Sequence, residues 1–131
     1  MTILQRWFEE VWNKRKESAI DDLMAPDAII HHLLGAEGEE VSDTPAFKKM
    51  FRSFTSALSD IHVTIEHEIT QCDISAALCV ITAVHTGEGL AKTPRSRPIH
   101  FTGMLMVRVR NGQIAETWNY FDFETMFQQM E

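Results

Sequence analysis

Apolar residues recur at spacings of three and four along the start of the chain. Ile3, Leu4, Trp7, Phe8, Val11 and Trp12 form one broad stripe, which predicts a helix over 3–16. Ser18 is placed to cap a second, short helix over 18–24, which Pro26 ends. The compact apolar run Ala28 to Leu34 predicts a first strand, and the polar, glycine-containing stretch Gly35 to Ser42 a loop. Thr44-Pro45 then reads as an N-cap followed by proline at the first helical position. The helix it opens carries Phe47, Met50, Phe51, Phe54 and Leu58 on one face, wide enough to cover a curved sheet.

After Asp60 the period drops from helical to two. Ile61, Val63, Ile65, His67 and Ile69 share one face of a strand, and His62, Thr64, Glu66 and Glu68 the other. Ile74 to Glu88 predicts a second long strand, and Gly89 to Pro98 a basic loop. Ile99 to Arg110 predicts a third, and Asn111-Gly112 is a strong hairpin signal before a fourth, Gln113 to Phe121. Asp122 to Gln129 closes the chain as a short helix. Helices followed by a meander of antiparallel strands give an α+β domain, with the helices on one face of the sheet.

At 131 residues this is one domain, and 44% hydrophobic with 24% charged residues is the balance of a packed globular protein. The net charge of -7 disfavours nucleic acid and anionic membranes as partners. No apolar run is long enough for a transmembrane helix, and MTILQRWFEEVW lacks the layout of a signal peptide. Cys72 and Cys79 make no disulfide framework, so both are read as reduced structural thiols in a cytoplasmic protein. No HxH or HExxH spacing gathers metal ligands, so no metal and no cofactor is expected. There is also no GxSxG, GxGxxG or P-loop.

The candidate chemistry lies in histidines on apolar faces. His67 shares the apolar side of its strand, and His85 shares a face with Ala77, Cys79, Ile81 and Ala83. An imidazole so placed is a natural general base, and a buried, hydrogen-bonded structural histidine is the plain alternative. His31 and His32 are neighbours on a strand, so one ring faces inward and the other outward. Asn119 faces the concave side with Ala115 and Thr117, whereas Glu116, Trp118 and Tyr120 face away from the helices. Asp122 fits the N-cap of the last helix, and the cations Lys92, Arg95 and Arg97 could attract an anionic group at a pocket rim. Met104, Met106, Ile114, Trp118 and Tyr120 make the outer sheet face partly apolar, as if a second copy covered it; a homodimer is expected.

The stretch AVHTGEG, the proline-containing loop to Arg97 and then FTGMLMVRVRNGQIAETWNYFD resemble the SnoaL-like polyketide cyclase family, of the nuclear-transport-factor-2-like superfamily. Trp12, the short helix before Pro26-Asp27 and the His-containing strand before a Gly-rich turn fit as well, so the resemblance spans nearly the whole chain as a single domain, 1–131. It implies a cone-shaped barrel: a strongly curved antiparallel sheet wrapped around N-terminal helices, with a pocket for apolar, often ring-shaped ligands. It also implies an acid/base carboxylate on the last strand, a position that falls on Asn119 here. A second cyclase position, a histidine on the preceding strand, falls on Leu105. An amide cannot accept a proton usefully but can polarise a carbonyl by hydrogen bonding.

Three readings follow. In the first, an enzyme of cyclase, isomerase or dehydratase type acts on a small apolar or cyclic carbonyl compound. His85 or His32 is the base, and Asn119 holds the oxyanion. Trp12, Phe47, Phe51, Phe54, His67, Phe101, Leu105 and Asp122 surround the substrate. In the second, the same pocket binds its ligand without turnover. In the third, the fold is an interaction module that works through its sheet face.

Overall fold

The computed structural model describes residues 1–131. Thr2 opens helix α1 (Ile3–Arg6) with a reciprocal capping box: its hydroxyl accepts from the Gln5 N–H at 3.1 Å, and the Gln5 side chain accepts from the Thr2 N–H at 3.0 Å. The helix does not run on to residue 16. It widens into a π-helical segment, Trp7–Asn13, whose exit is marked by the Lys14 N–H donating to the Glu9 carbonyl at 2.9 Å. The wider turn suits the 7, 8, 11, 12 spacing of Trp7, Phe8, Val11 and Trp12, and brings three of these large side chains to one internal surface. Asn13 then docks on strand β2, accepting from the Val63 N–H at 2.7 Å and donating to the Val63 carbonyl at 3.2 Å.

Helix α2 (Ser18–Leu23) carries no side-chain cap, so Ser18 does not have the role expected of it. Strand β1 (Met24–His31) begins four residues before the expected Ala28 and contains Pro26. The proline is tolerated because β1 is an edge strand and its pairing shifts register between Met24 and Ile29. Helix α3 (Thr44–Ala57) is capped by Asp43, which accepts from the Ala46 N–H at 2.9 Å; the Thr44 hydroxyl is instead buried and donates to the Ala25 carbonyl at 3.0 Å.

Strands β2 (Leu58–Gln71), β3 (Ile74–His85), β4 (Arg97–Arg110) and β5 (Gln113–Phe121) form the expected antiparallel meander. Asn111 and Gly112, both at positive φ (53° and 76°), make the tight turn between β4 and β5. The sheet is mixed and open, in the order β1-β5-β4-β3-β2, because β1 adds to β5 in parallel. Helix α4 (Phe123–Gln129) closes the chain. Beyond the end of β5, the Gln129 side chain takes a strand's place beside β4, accepting from the His100 N–H at 2.8 Å and donating to its carbonyl at 2.9 Å. One apolar core lies between the concave sheet face and the helices. No helix is long and apolar enough to cross a membrane.

Candidate functional site

Burial alternates along β3 and β4, and the inward rows leave a cavity of about 80 Å³ against the helices. The π-helical segment contributes Trp7, Phe8 and Trp12; α3 contributes Phe47, Met50 and Phe54; β4 contributes Phe101 and Leu105. Leu33, Leu58, Ile61, Val63, Ile81, Phe121, Phe123 and Met126 complete the wall. The rings interlock: Trp12 lies 6.1 Å from Phe47 and 6.5 Å from Phe54, and Phe123 stacks on Phe54 at 5.6 Å. Gly103 makes room for Phe121, since a Cβ there would stand 2.1 Å from that ring. The cavity is smaller than the ~150 Å³ apolar cavities that admit benzene. Met50 and Met126 are the flexible members of the wall.

Asn119 is the one polar residue of this lining. It is buried, its Nδ2 donates to the His31 carbonyl at 3.1 Å, and its Oδ1 accepts from the Thr117 hydroxyl at 3.4 Å. An amide nitrogen carries two hydrogens and only one is engaged, so one donor is left for a ligand oxygen.

Of the residues read from the sequence as site candidates, Trp12, Phe47, Phe54, Phe101, Leu105 and Asn119 line the cavity. Phe51 does not: it sits behind the wall, 5.2 Å from Trp12. His67 is exposed, because a bulge between Ile65 and His67 inverts the alternation of β2; Ile69 is turned outward by the same step and is 72% exposed. The bulge turns Glu68 inward instead. Both its carboxylate oxygens are buried without a partner, and burial, with this charge nearby, pushes the Cys79 thiol up to about 12.

His32 is also outside the cavity. It adopts a left-handed backbone (φ 59°) just past β1, so it and His31 both stack on the outer sheet face: His31 on Trp118 at 5.4 Å, His32 on Tyr120 at 5.0 Å. The expected one-in, one-out arrangement fails because the strand ends between them. His31 also meets Glu116, Nε2 to Oε2, at 2.7 Å. Asp122 is exposed and caps α4, accepting from the Thr125 N–H at 3.1 Å and hydroxyl at 2.7 Å; these bonds hold its carboxyl below the usual range. It borders a shallow outer hollow with Met104, Met106, Trp118 and Tyr120.

His85 is fully buried at the end of β3 but is not part of the cavity wall. Its direct partner on β2 is Leu58, a lining residue, and neither ring nitrogen has a hydrogen-bond partner. Its ring is out of reach of water, and the chain that follows it packs on α3. There Gly87 and Gly89 (φ 131°) lie against the Ser56 and Ser53 carbonyls of α3, where a Cβ would stand 2.2 and 2.6 Å from the oxygens.

Periodicity pointed to the aromatic faces but not to Phe121, Phe123 and Met126, which reach the cavity from either side of the Asp122 cap. Trp7 and Phe8 lay on the same apolar stripe as Trp12 and could have been chosen with it.

The family profile for SnoaL-like polyketide cyclases matches residues 2–130. Among solved structures, IdmH of Streptomyces antibioticus, described as a putative polyketide cyclase, is 26% identical with a TM-score of 0.81, over 97% of this chain and 94% of that one. A putative polyketide cyclase of Acidithiobacillus ferrooxidans shares the fold at 21% identity and a TM-score of 0.83, over 98% and 91% of the two chains. So does AclR of Streptomyces galilaeus, a putative hydroxylase, at 19% identity and a TM-score of 0.83, over 98% and 81%. No curated protein matches the chain.

Proposed function

The chain belongs to the SnoaL-like polyketide cyclase family, and on that premise we propose that it takes a small apolar or cyclic carbonyl compound into the cavity and holds the carbonyl oxygen against Asn119. The observation that carries this reading is the unengaged N–H of Asn119 in an otherwise apolar wall. A fixed donor in a dry site stabilises charge developing on oxygen far better than water does. Proton transfer of cyclase, isomerase or dehydratase type also needs a base. Asn119 stands where the family's cyclases carry a carboxylate, so the base falls to His85, whose ring nitrogens are free and whose neighbour Leu58 lines the cavity. His32, on the outer face, is not part of this site.

A second reading, binding without turnover, is favoured by the lack of any carboxylate or imidazole in the lining itself. In either case the protein works as a homodimer joined through the outer sheet face, where Met104, Met106 and Tyr120 are 50%, 37% and 63% exposed.

The test uses 2-tetralone, an apolar cyclic ketone. Uptake quenches the fluorescence of Trp7 and Trp12, and proton transfer shows as deuterium exchange beside the ketone. Quenching with accelerated exchange, both lost in Asn119→Ala, supports the first reading; quenching without exchange selects the second. No quenching at millimolar ketone overturns both.

A further inference from the structure

We propose that Arg97 and His85 together form a receptor for a carboxylate, so that the preferred ligand of the cavity is an apolar compound that carries an acid group as well as its carbonyl. The proposal rests on the reading of the cavity as a ligand site and narrows its substrate class.

Arg97 begins β4 directly opposite His85 of β3. Directly opposed residues of an antiparallel pair project to the same face, with Cβ atoms about 5 Å apart. That face is the concave one: Ile99, Phe101, Leu105 and Val107 follow Arg97 on the buried side of β4, and Ala77, Cys79, Ile81 and Ala83 precede His85 on the buried side of β3. Leu58, a wall residue of the cavity, pairs with His85 from the other side. One cross-strand row therefore runs Leu58, His85, Arg97, from the cavity wall to a guanidinium.

Both polar members of this row are unoccupied. His85 is fully buried with neither nitrogen bonded, an arrangement that costs stability for each unsatisfied group. Arg97 is exposed and takes part in no ion pair or hydrogen bond, unlike Arg6, Arg15, Arg52, Arg108 and Arg110. Four of the seven arginines meet a carboxylate, and Arg15 is held by the Leu58 and Thr55 backbone carbonyls, which leaves only Arg95 and Arg97 with no partner for their side chains. Arg95 lies in the loop that leads into β4, and that loop's other cation, Lys92, is already held by Glu131 at 2.8 Å. A carboxylate reaching past Leu58 would give the guanidinium a forked partner and an imidazole N–H its missing acceptor. The row has donors for an anion and no acidic group of its own.

The test compares two probes on the full chain, 2-naphthylacetate and its neutral methyl ester, followed by tryptophan fluorescence and calorimetry. The acid is expected to bind at least about tenfold more tightly than the ester, the worth of one charge-assisted pair. Arg97→Met, at an exposed position, should remove that preference and leave ester binding unchanged, and His85→Asn should reduce it. Equal binding of acid and ester, or a preference that survives in Arg97→Met, overturns the carboxylate receptor while the cavity reading stands. Binding of neither probe removes the cavity reading and this inference with it.

Discussion

The Asn119 side chain donates to the His31 carbonyl at 3.1 Å, tying β5 to the last residue of its edge neighbour β1. At the next residue the backbone turns left-handed, and the strand ends. The same amide is thus a fastening for the edge strand and the polar feature of the cavity. Asn119→Ala should therefore lose both, at a cost of about 1–3 kcal/mol in urea unfolding. Asn119→Asp, which restores a carboxylate on the last strand, should be worse. It sets a buried negative charge against the His31 carbonyl with no donor but Thr117, and its loss of stability should shrink as the pH is lowered and the carboxyl is neutralised.

His85 should behave in the opposite sense. Its nitrogens have no partners, so a shape-compatible apolar residue removes a penalty and no bond. His85→Leu is expected to be as stable as the parent or more stable by about 1 kcal/mol, read from the urea midpoint, while losing any preference for acidic ligands. A destabilisation of several kcal/mol would mean that the ring is hydrogen-bonded in solution.

The two thiols should separate cleanly. Cys79 is fully buried with its thiol pushed up to about 12, and Cys72 is exposed in the turn after β2. At pH 8 an aromatic disulfide reagent should label one thiol quickly in the native protein and the second only on unfolding.

Asp122 predicts a response to acid. Its carboxyl is held below the usual range by the Thr125 hydroxyl first and the Thr125 N–H second. The folded form therefore binds the proton less readily than the unfolded chain. This contribution is present above the ordinary aspartate value, 3.8, and is lost as the pH falls through the lower folded value. Helix α4 should loosen in that window, seen as faster amide exchange at Met126, and Asp122→Ala should show the loosening already at neutral pH.

The outer face predicts an assembly. Met104 and Tyr120 are direct partners on β4 and β5, and both are exposed. Sedimentation should report a dimer at micromolar concentration, and Tyr120→Glu or Met104→Glu should return a 15.0 kDa monomer with its melting behaviour otherwise intact. A monomeric parent would sink the idea.

Regular patterns carried well from sequence to structure, and interrupted ones did not. The Asn111-Gly112 turn, the alternation of β4 and the aromatic face of α3 rest on unbroken periods, and each appears where the pattern put it. His67 and His32 were misplaced because one inserted residue in β2 and one left-handed residue after β1 reverse the facing of everything beyond. Neither device has a signature in a single sequence, since neither site is a glycine. The π-helical widening was hidden for a related reason: spacings of three, four and five residues overlap in a short aromatic stripe. Within the site, Asn119 was legible from the parity of β5, whereas the Arg97–His85 pairing was not, because it depends on how β3 and β4 slide past each other across a long loop.

The parallel union of β1 with β5 also sets the order in which the molecule can be made. Ile30 must find Thr117, so nearly the whole chain has to leave the ribosome before the edge of the sheet is complete. The meander from β2 to β5 joins sequence neighbours and can form as it emerges. The N-terminal segment, with Leu4, Trp7, Phe8 and Val11, waits with its apolar stripe uncovered. A nascent chain stalled before Phe121 would be the form most in need of a chaperone.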